Sequence, residues 1–433
     1  MLRTVDLTGI TADYRRHLPR ADFDVDAATP VVASVVADVR TRGQAALEEY
    51  SRRFDNVVPA HFRVPEAELA RHAAELEPAL AAAFTESIRR RRAVAEQLEL
   101  DPDPEPVELA AGAKVGLRNI PVDRVGLYVP GGVAPLASSV LMNVVPAQSA
   151  GVGSIAVASP PQAEFDGLPH PNILALCHLL GVEEVYAVGG AQAIAMFAHG
   201  VEGLCEPVSL VTGPGNIYVV AAKRLVRSSV GIDSEAGPTE IAIVADASAK
   251  PALVASDLIS QSEHDVLAAS VLITDSTKLA DQVQLELEKQ VSQARHKQRI
   301  RASLTGKQSA VCLVRDIDQA VAVANAYAAE HLEIQTERAH EVAARITSAG
   351  AIFIGDYSPV SLGDYSAGST HVLPTGGFAG HSSGLTVRSF MRTVHTIDYD
   401  RRALSEIADL VQTFAHAEDL PSHAAAIEVR SAE

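Results

Sequence analysis

The chain has 433 residues, more than one ordinary hydrophobic core organises, so two or three domains are expected. With 47% hydrophobic and 21% charged residues it is not a disordered chain, and its formal net charge of −18 excludes the cationic face that non-specific binding to nucleic acid or an anionic membrane requires. No run of about 18 apolar residues occurs and residues 1–12 hold no apolar signal core, so a cytoplasmic protein with a small or cationic ligand is expected.

Along the chain, a short segment at 1–24 is taken as helical, and residues 22–98 read as helices from an Ala-rich pattern of 3.6-residue period. From 124 to 246 one theme recurs: a Val/Ile/Leu-rich strand, a glycine turn, then an amphipathic helix, the pattern of a parallel α/β sheet. Strands are expected at 125–129, 154–159, 184–188, 208–211 and 229–233, with helices after Pro135, after Pro171, and at 191–199 and 216–227. A second series between 240 and 355, with strands near 241–244, 270–274, 310–314 and 351–354, implies a second, similar sheet. Beyond Val387 only helical pattern is evident, best at 401–415 and 422–431. The two α/β series resemble each other in topology and not as a sequence repeat. Cys177, Cys205 and Cys312 are far apart, form no CxxC pair and lie in apolar stretches, as buried thiols of a reducing compartment do.

Three strand ends carry glycine: Pro130-Gly131-Gly132, Gly189-Gly190-Ala191-Gln192 and Thr212-Gly213-Pro214-Gly215-Asn216. Strands of a parallel sheet deliver their carboxyl ends to one edge, so the three turns can surround one ligand, and amides at helix starts favour a phosphate. None completes G-x-G-x-x-G or continues to Gly-Lys-Ser/Thr, which leaves ordinary tight βα turns as the competing reading for each.

Polar chemistry gathers further on. Gln261 and His264 sit three apart at the end of an expected helix, on one side of it, as half a metal site or as a helix-end hydrogen-bonded pair. Glu330-His331 joins a carboxylate to an imidazole, the two groups most used to move protons near neutral pH. Neighbours on a regular strand face opposite ways, so a shared role requires a turn or helix end after the helix expected at 316–328. A long polar stretch, 355–375, holds Asp364 and His371 in a segment with little periodicity. Glu418 and His423 flank a turn at Leu420-Pro421 and look exposed.

These signals coincide with a family. From about 32 to 423 the chain resembles histidinol dehydrogenase, through Tyr128-Val129-Pro130-Gly131-Gly132, Gly189-Gly190-Ala191-Gln192, Gly213-Pro214-Gly215-Asn216, Gly237-Pro238-Thr239-Glu240, Gln261-Ser262-Glu263-His264, Glu330-His331-Leu332-Glu333 and Gly363-Asp364-Tyr365 to His371-Val372-Leu373-Pro374-Thr375. The resemblance implies one zinc ion per subunit on Gln261, His264, Asp364 and His423, and a proton-transfer pair at Glu330 and His331. It implies substrate contacts from Thr239, Gln261, His264, His331, Asp364, His371, Glu418 and His423, and NAD contacts from Tyr128, Gln192 and Asn216. Thr239 stands where the family often has Ser and keeps the hydroxyl.

The implied fold is α/β, with two related Rossmann-like parallel-sheet domains, one inserted in the other, plus small helical terminal segments. Residues 25–127 and 237–385 would form a discontinuous zinc and catalytic domain, and 128–236 the NAD-binding domain. Residues 386–433 would be a helical tail that completes the partner's site in a homodimer. The implied reaction takes L-histidinol, water and two NAD to L-histidine through a bound aldehyde, at the end of histidine biosynthesis. A related zinc and NAD enzyme acting on another alcohol, such as a sulfonated diol, is the alternative within this chemistry. A zinc hydrolase or deaminase lacks its motifs, since neither H-E-x-x-H nor P-C-x-x-C occurs.

Overall fold

A computed structural model describes residues 1–131 and 135–431. Strand β1 (Arg3–Asp6) opens the chain, and helices α1 (Val25–Arg42), α2 (Gln44–Tyr50), α3 (Glu66–Ala74) and α4 (Pro78–Val94) follow. Next come β2 (Val107–Ala110), β3 (Ala113–Pro121), β4 (Arg124–Tyr128), α5 (Ser138–Ala150), β5 (Ser154–Ser159), α6 (Pro171–Leu179), β6 (Glu184–Ala187), α7 (Gly190–His199), β7 (Leu210–Thr212), α8 (Ile217–Val226) and β8 (Gly231–Ile232). A second run comprises β9 (Glu240–Ala245), α9 (Pro251–Ser262), β10 (Ala269–Thr274), α10 (Thr277–Gln293), α11 (Lys297–Thr305), β11 (Ala310–Leu313), α12 (Ile317–Tyr327), β12 (His331–Gln335), α13 (Ala339–Ala343), β13 (Ala351–Ile354) and α14 (Val360–Tyr365). The chain then forms β14 (Met391–Tyr399), α15 (Arg401–Ala417) and α16 (Pro421–Ser431).

Two parallel sheets result, with strand orders β6-β5-β4-β7-β8 and β1-β11-β10-β9-β12-β13. Each sheet is covered on both faces, which is why its strands read as nearly continuous apolar runs such as Glu240–Ala245, every residue of which is buried. The pleat sorts side chains by parity. In β4, Val125 and Leu127 enter the core under α5 and α6, while Tyr128 enters the core under α1, α7 and α8. In β9, Ile241 and Ile243 pack toward α9, α10 and α11, and Ala242 and Val244 toward α12.

The doubly wound pair of sheets agrees with the expected fold class, and the five-stranded unit is indeed inserted, between β1 and β9. Three expectations about the flanks do not hold. Residues 1–24 are not a helical segment: Arg3–Asp6 pairs in parallel with β11 as an edge strand, and the segment's helical content is a single 3-10 turn at Tyr14–Arg16. Residues 25–99 do not join the six-stranded sheet. Val32, Val35, Val39 and Leu47 share a core with Ala156, Tyr186 and Phe197, and Leu69 and Ala95 share another with Leu127 and Val157. The tail beyond 386 is not purely helical, because β14 pairs antiparallel with β3 over nine residues, from Met391 opposite Pro121 to Tyr399 opposite Ala113, with β2 on the other side. No described helix is long and apolar enough to cross a membrane.

Candidate active site

The polar residues singled out in the sequence converge on the amino-terminal edge of the six-stranded sheet. Thr239 precedes β9, Glu330 precedes β12 and His331 opens it, while α9, running back from β9, ends at the same edge with Gln261. His331 is the first residue of a strand and Glu330 lies in the bend before it, so the alternation that separates strand neighbours does not apply. The Glu330 Oε2 and His331 Nδ1 atoms stand 3.5 Å apart. The approach uses Ala328 in a left-handed conformation, φ 49°, immediately after α12, an arrangement that costs about 1–3 kcal/mol for a residue with a Cβ.

A chain of hydrogen bonds runs through the buried residues. Gln261 Nε2 donates to Thr239 Oγ1 at 2.5 Å, the Thr239 hydroxyl donates to Glu330 Oε2 at 2.5 Å, and the Glu240 N–H donates to the same oxygen at 2.8 Å. The Glu240 carbonyl accepts from His331 Nδ1 at 3.2 Å, which makes Nδ1 the protonated nitrogen and leaves the Nε2 lone pair free. Burial pushes the Glu330 carboxyl well above the usual range, and burial likewise lowers His331 to about 4, so the imidazole is neutral at physiological pH.

Beside this chain lie Asp364, on α14, and His264, two residues past α9, with Asp364 Oδ2 at 3.6 Å from His264 Nε2. Burial alone raises the Asp364 carboxyl, but the hydrogen bond to His264 and the nearby imidazoles of His331, His264 and His371 outweigh it and hold the group below its ordinary value. His371 Nδ1 donates to the Asp364 carbonyl at 3.1 Å, and its Nε2 lies 3.2 Å from Ser139 Oγ at the start of α5. That contact joins the catalytic edge to the carboxyl edge of the five-stranded sheet. The buried Gln261 Oε1 has no hydrogen-bond partner, a costly condition unless the oxygen faces a ligand.

Glu418 and His423 do not join this cluster within one chain. They sit exposed at the turn between α15 and α16. Among the described residues of one chain no three His, Cys, Asp or Glu side chains gather closely enough to hold an ion; His264 and Asp364 supply two, with the Gln261 amide as a neutral oxygen donor.

The glycine turns occupy the carboxyl edge of the five-stranded sheet, Gly132 of the first lying outside the described residues. The Tyr128 hydroxyl accepts from the Gly190 N–H at 3.1 Å, the Gln192 side chain folds back against Gly190, and Asn216 caps α8 by accepting from the N–H groups of Tyr218 and Val219. Gly213, at φ +115°, presses on Tyr128 so closely that a Cβ there would fall 2.0 Å from the Tyr128 carbonyl oxygen. Its N–H donates to Asp233 at 2.9 Å, and its carbonyl accepts from the buried Lys223 at 3.1 Å.

Several of these residues escaped the sequence reading. Glu240 stood in a matching string but was given no role, Ser139 carried no signal, and Asp55, whose carboxyl is pushed up by burial to about 7 and lies against Gly189, comes from the remote helical segment. Lys223 and Asp233 are an ion pair that only the fold brings together.

The histidinol dehydrogenase family model matches residues 18–431. This chain belongs to the histidinol dehydrogenase family. It is 67% identical over 436 residues to histidinol dehydrogenase from Cutibacterium acnes, with 99% of each chain covered, and 61% identical to that of Thermobifida fusca, with 99% of this chain and 98% of the relative covered. The crystal structure of histidinol dehydrogenase from Elizabethkingia anophelis superposes with a TM-score of 0.93 at 31% identity, covering 99% of this chain and 98% of that one. The protein is accordingly an oxidoreductase of this family, and its two-sheet α/β architecture is the family fold.

Gly213→Ala tests the close approach at Tyr128. Positive φ and the overlap with the carbonyl together are expected to lower unfolding stability in urea by about 2–4 kcal/mol. An unfolding midpoint equal to that of the parent enzyme contradicts the geometry of this turn.

Proposed function

We propose that this member of the family oxidises L-histidinol to L-histidine in two successive two-electron steps, using zinc and two NAD, in a site that a second copy of the chain completes. The observation that carries this reading is the Gln261–Thr239–Glu330 hydrogen-bond chain beside a neutral His331, with a buried, unpartnered Gln261 oxygen on the helix that leads to His264, itself 3.6 Å from Asp364. An amide oxygen, a carboxylate and imidazoles form a donor set that suits zinc, without the thiolates of closed structural sites. Gln261, His264, Asp364 and the partner's His423 are the residues that would hold it. When bound, zinc supplies a Lewis-acid anchor for the imidazole and amine of the substrate, and NAD supplies the hydride acceptor.

The chain's own residues move the protons. His331 Nε2 takes the hydroxyl proton as the first hydride departs, giving the aldehyde. Glu330, in its ionised form, takes a proton from water while the remaining hydroxide adds to the aldehyde carbon, and the protonated His331 returns its proton to the resulting alkoxide, giving the gem-diol and a neutral imidazole. His331 then accepts a hydroxyl proton of the gem-diol as the second hydride leaves, and the acid ionises. The balance is one alcohol, one water and two NAD to one carboxylate, two NADH and three protons. A thioester route has no nucleophile here, since Cys177 and Cys312 lie in separate cores with thiols pushed up to about 12 and Cys205 is tied to Arg124 and Tyr186.

Support for the second copy comes from the tail. α15 buries only alanines, Ala403, Ala408 and Ala415, while Leu410 and Phe414, one turn apart, are 72% and 69% exposed, and Ile397 on β14 is 75% exposed. An amphipathic helix presenting its largest apolar residues to water is a surface awaiting a partner. NAD is proposed to lie along Tyr128, Gln192 and Asn216, where the positive end of the α8 dipole favours a phosphate.

Three measurements test the proposal. Purified enzyme given histidinol and NAD should form two NADH per histidinol, and Glu330→Gln no more than one in a single turnover, because the aldehyde forms but water is not activated; two NADH from that variant remove Glu330 from the mechanism. His264→Asn should lose most of its zinc by elemental analysis, whereas His331→Asn should keep its zinc and lose about 10²–10⁴-fold in kcat; full zinc in the first variant discredits that ligand. Glu330→Gln and His423→Ala homodimers, each unable to form histidine, should regain about a quarter of the parental rate of histidine formation when mixed and re-assembled, since half the dimers then carry one intact site. No recovery means that the site is built within one subunit.

A further inference from the structure

Glu333, on β12 two residues after His331 and facing the same side, is buried at 1% exposure and plays no part in the chemistry above. Its Oε1 accepts from the N–H of Val360, the first residue of α14, at 2.9 Å. Its Oε2 accepts from Gln335 Nε2 at 2.9 Å, and the same Nε2 reaches Asp257 Oδ2 at 3.2 Å. Asp257 lies on α9 and hydrogen-bonds to Glu333 directly. Each arm of this arrangement stops one helical turn or one strand alternation short of the candidate site. Asp257 is four residues before Gln261, Val360 four before Asp364, and Glu333 two after His331, so α9, α14 and β12 all meet at one buried carboxyl.

Two carboxyls in contact away from water cannot both stay ionised. A hydrogen bond between them requires one proton held in common; burial displaces both upward, and Asp257 raises Glu333 further, whereas the hydrogen bond to Glu333 lowers Asp257. The shared proton makes the contact attractive where two carboxylates would repel. The Gln335 Oε1, which is buried without a partner, lets the amide turn over if the proton pattern changes.

We propose that the Glu333–Asp257 pair, sharing one proton, is a positioning clamp that fixes the spacing of the three elements carrying Gln261, Asp364 and His331, and so sets the affinity and geometry of the metal site. The inference rests on the zinc assignment made above.

The test uses full-length enzyme and zinc in chelator competition, with cobalt-substituted enzyme for its visible absorption. Glu333→Leu and Asp257→Leu should weaken zinc binding about 10–100-fold, the range seen when groups supporting metal ligands are removed, and shift the cobalt bands, with NADH affinity unchanged. Glu333→Gln and Asp257→Asn, which keep the hydrogen bonds without needing a shared proton, should hold zinc within about threefold of the parent. The clamp is overturned if the leucine variants bind zinc like the parent, or if the amide variants lose it as fully as the leucine ones. Should the leucine variants not fold, the Asp257→Asn, Glu333→Gln double variant decides: retained zinc affinity supports the clamp and its loss refutes it. His264→Asn, measured alongside, separates the two ideas, because retention of zinc there defeats the metal assignment and not the clamp.

Discussion

The candidate site is organised by the backbone of one residue. Glu240, the first residue of β9, donates its N–H to Glu330 and accepts at its carbonyl from His331, so one residue of backbone fixes both the carboxylate and the imidazole tautomer. Backbone groups at the start of a central strand are as rigid as a protein offers, since β9 is paired on both sides. The side chain of Glu240 is held in turn by Arg20, 2.6 Å away, whose guanidinium lies over the Tyr327 ring. A residue of the N-terminal segment thereby braces the strand that Glu240 opens, and the left-handed Ala328 lies between α12 and β12.

The two sheets present opposite edges to the cleft. In the five-stranded sheet the glycine turns proposed to bind NAD follow the carboxyl ends of the strands, the usual location in an open parallel sheet. In the six-stranded sheet the residues proposed to move protons stand at the amino ends of the strands, beside the C-terminus of α9. Helix polarity explains the division. The amino end of α8 carries the positive end of its dipole, which favours an anion such as a phosphate, and the carboxyl end of α9 carries a negative partial charge that favours a cation beside Gln261 and His264. Like edges would offer two anion sites and no electrostatic place for a metal. His371, bonded to Asp364 on one side and Ser139 on the other, holds the two edges in contact.

What was legible in the sequence follows from this construction. Ser154–Ser159 was readable to the residue because burial leaves an unbroken apolar run, and Ala351–Ile354, an edge strand with Ile352 exposed, because its apolar run stands between Gly350 and Gly355. β1 and β14 were not. The first is a four-residue edge strand, and the second is a ribbon strand with polar residues on both faces, so neither bears the apolar signature. Helices α1 to α4 announced their type but not their partner, because an Ala-rich face fits either sheet. Glu330 and His331 were recognisable as a proton-transfer pair, yet their placement before a strand depended on pairing with β9 and β13 that no local pattern encodes. Glu333 stood inside a string that the sequence displayed; its contact with Asp257, 76 positions away by subtraction of their numbers, appears only in the fold.

The distribution of burial then bears on why Glu418 and His423 lie so far from the cluster. The other residues of the proposed metal and proton-transfer cluster lie at strand or helix ends of the six-stranded sheet, with His371 in the stretch after α14, and they are oriented by hydrogen bonds or ion pairs within the chain. The α15–α16 turn has no such support. It stands on a three-stranded ribbon and is flanked by Leu410, Phe414 and Leu420, all exposed. Residues on so loosely supported a turn gain a fixed position only if those apolar groups are buried elsewhere. Burying them against a second copy would orient the turn and exclude water from the cleft through the same contact. Association and completion of the proposed metal site are then one event, in which the hydrophobic effect supplies the driving force and the imidazole supplies the chemistry.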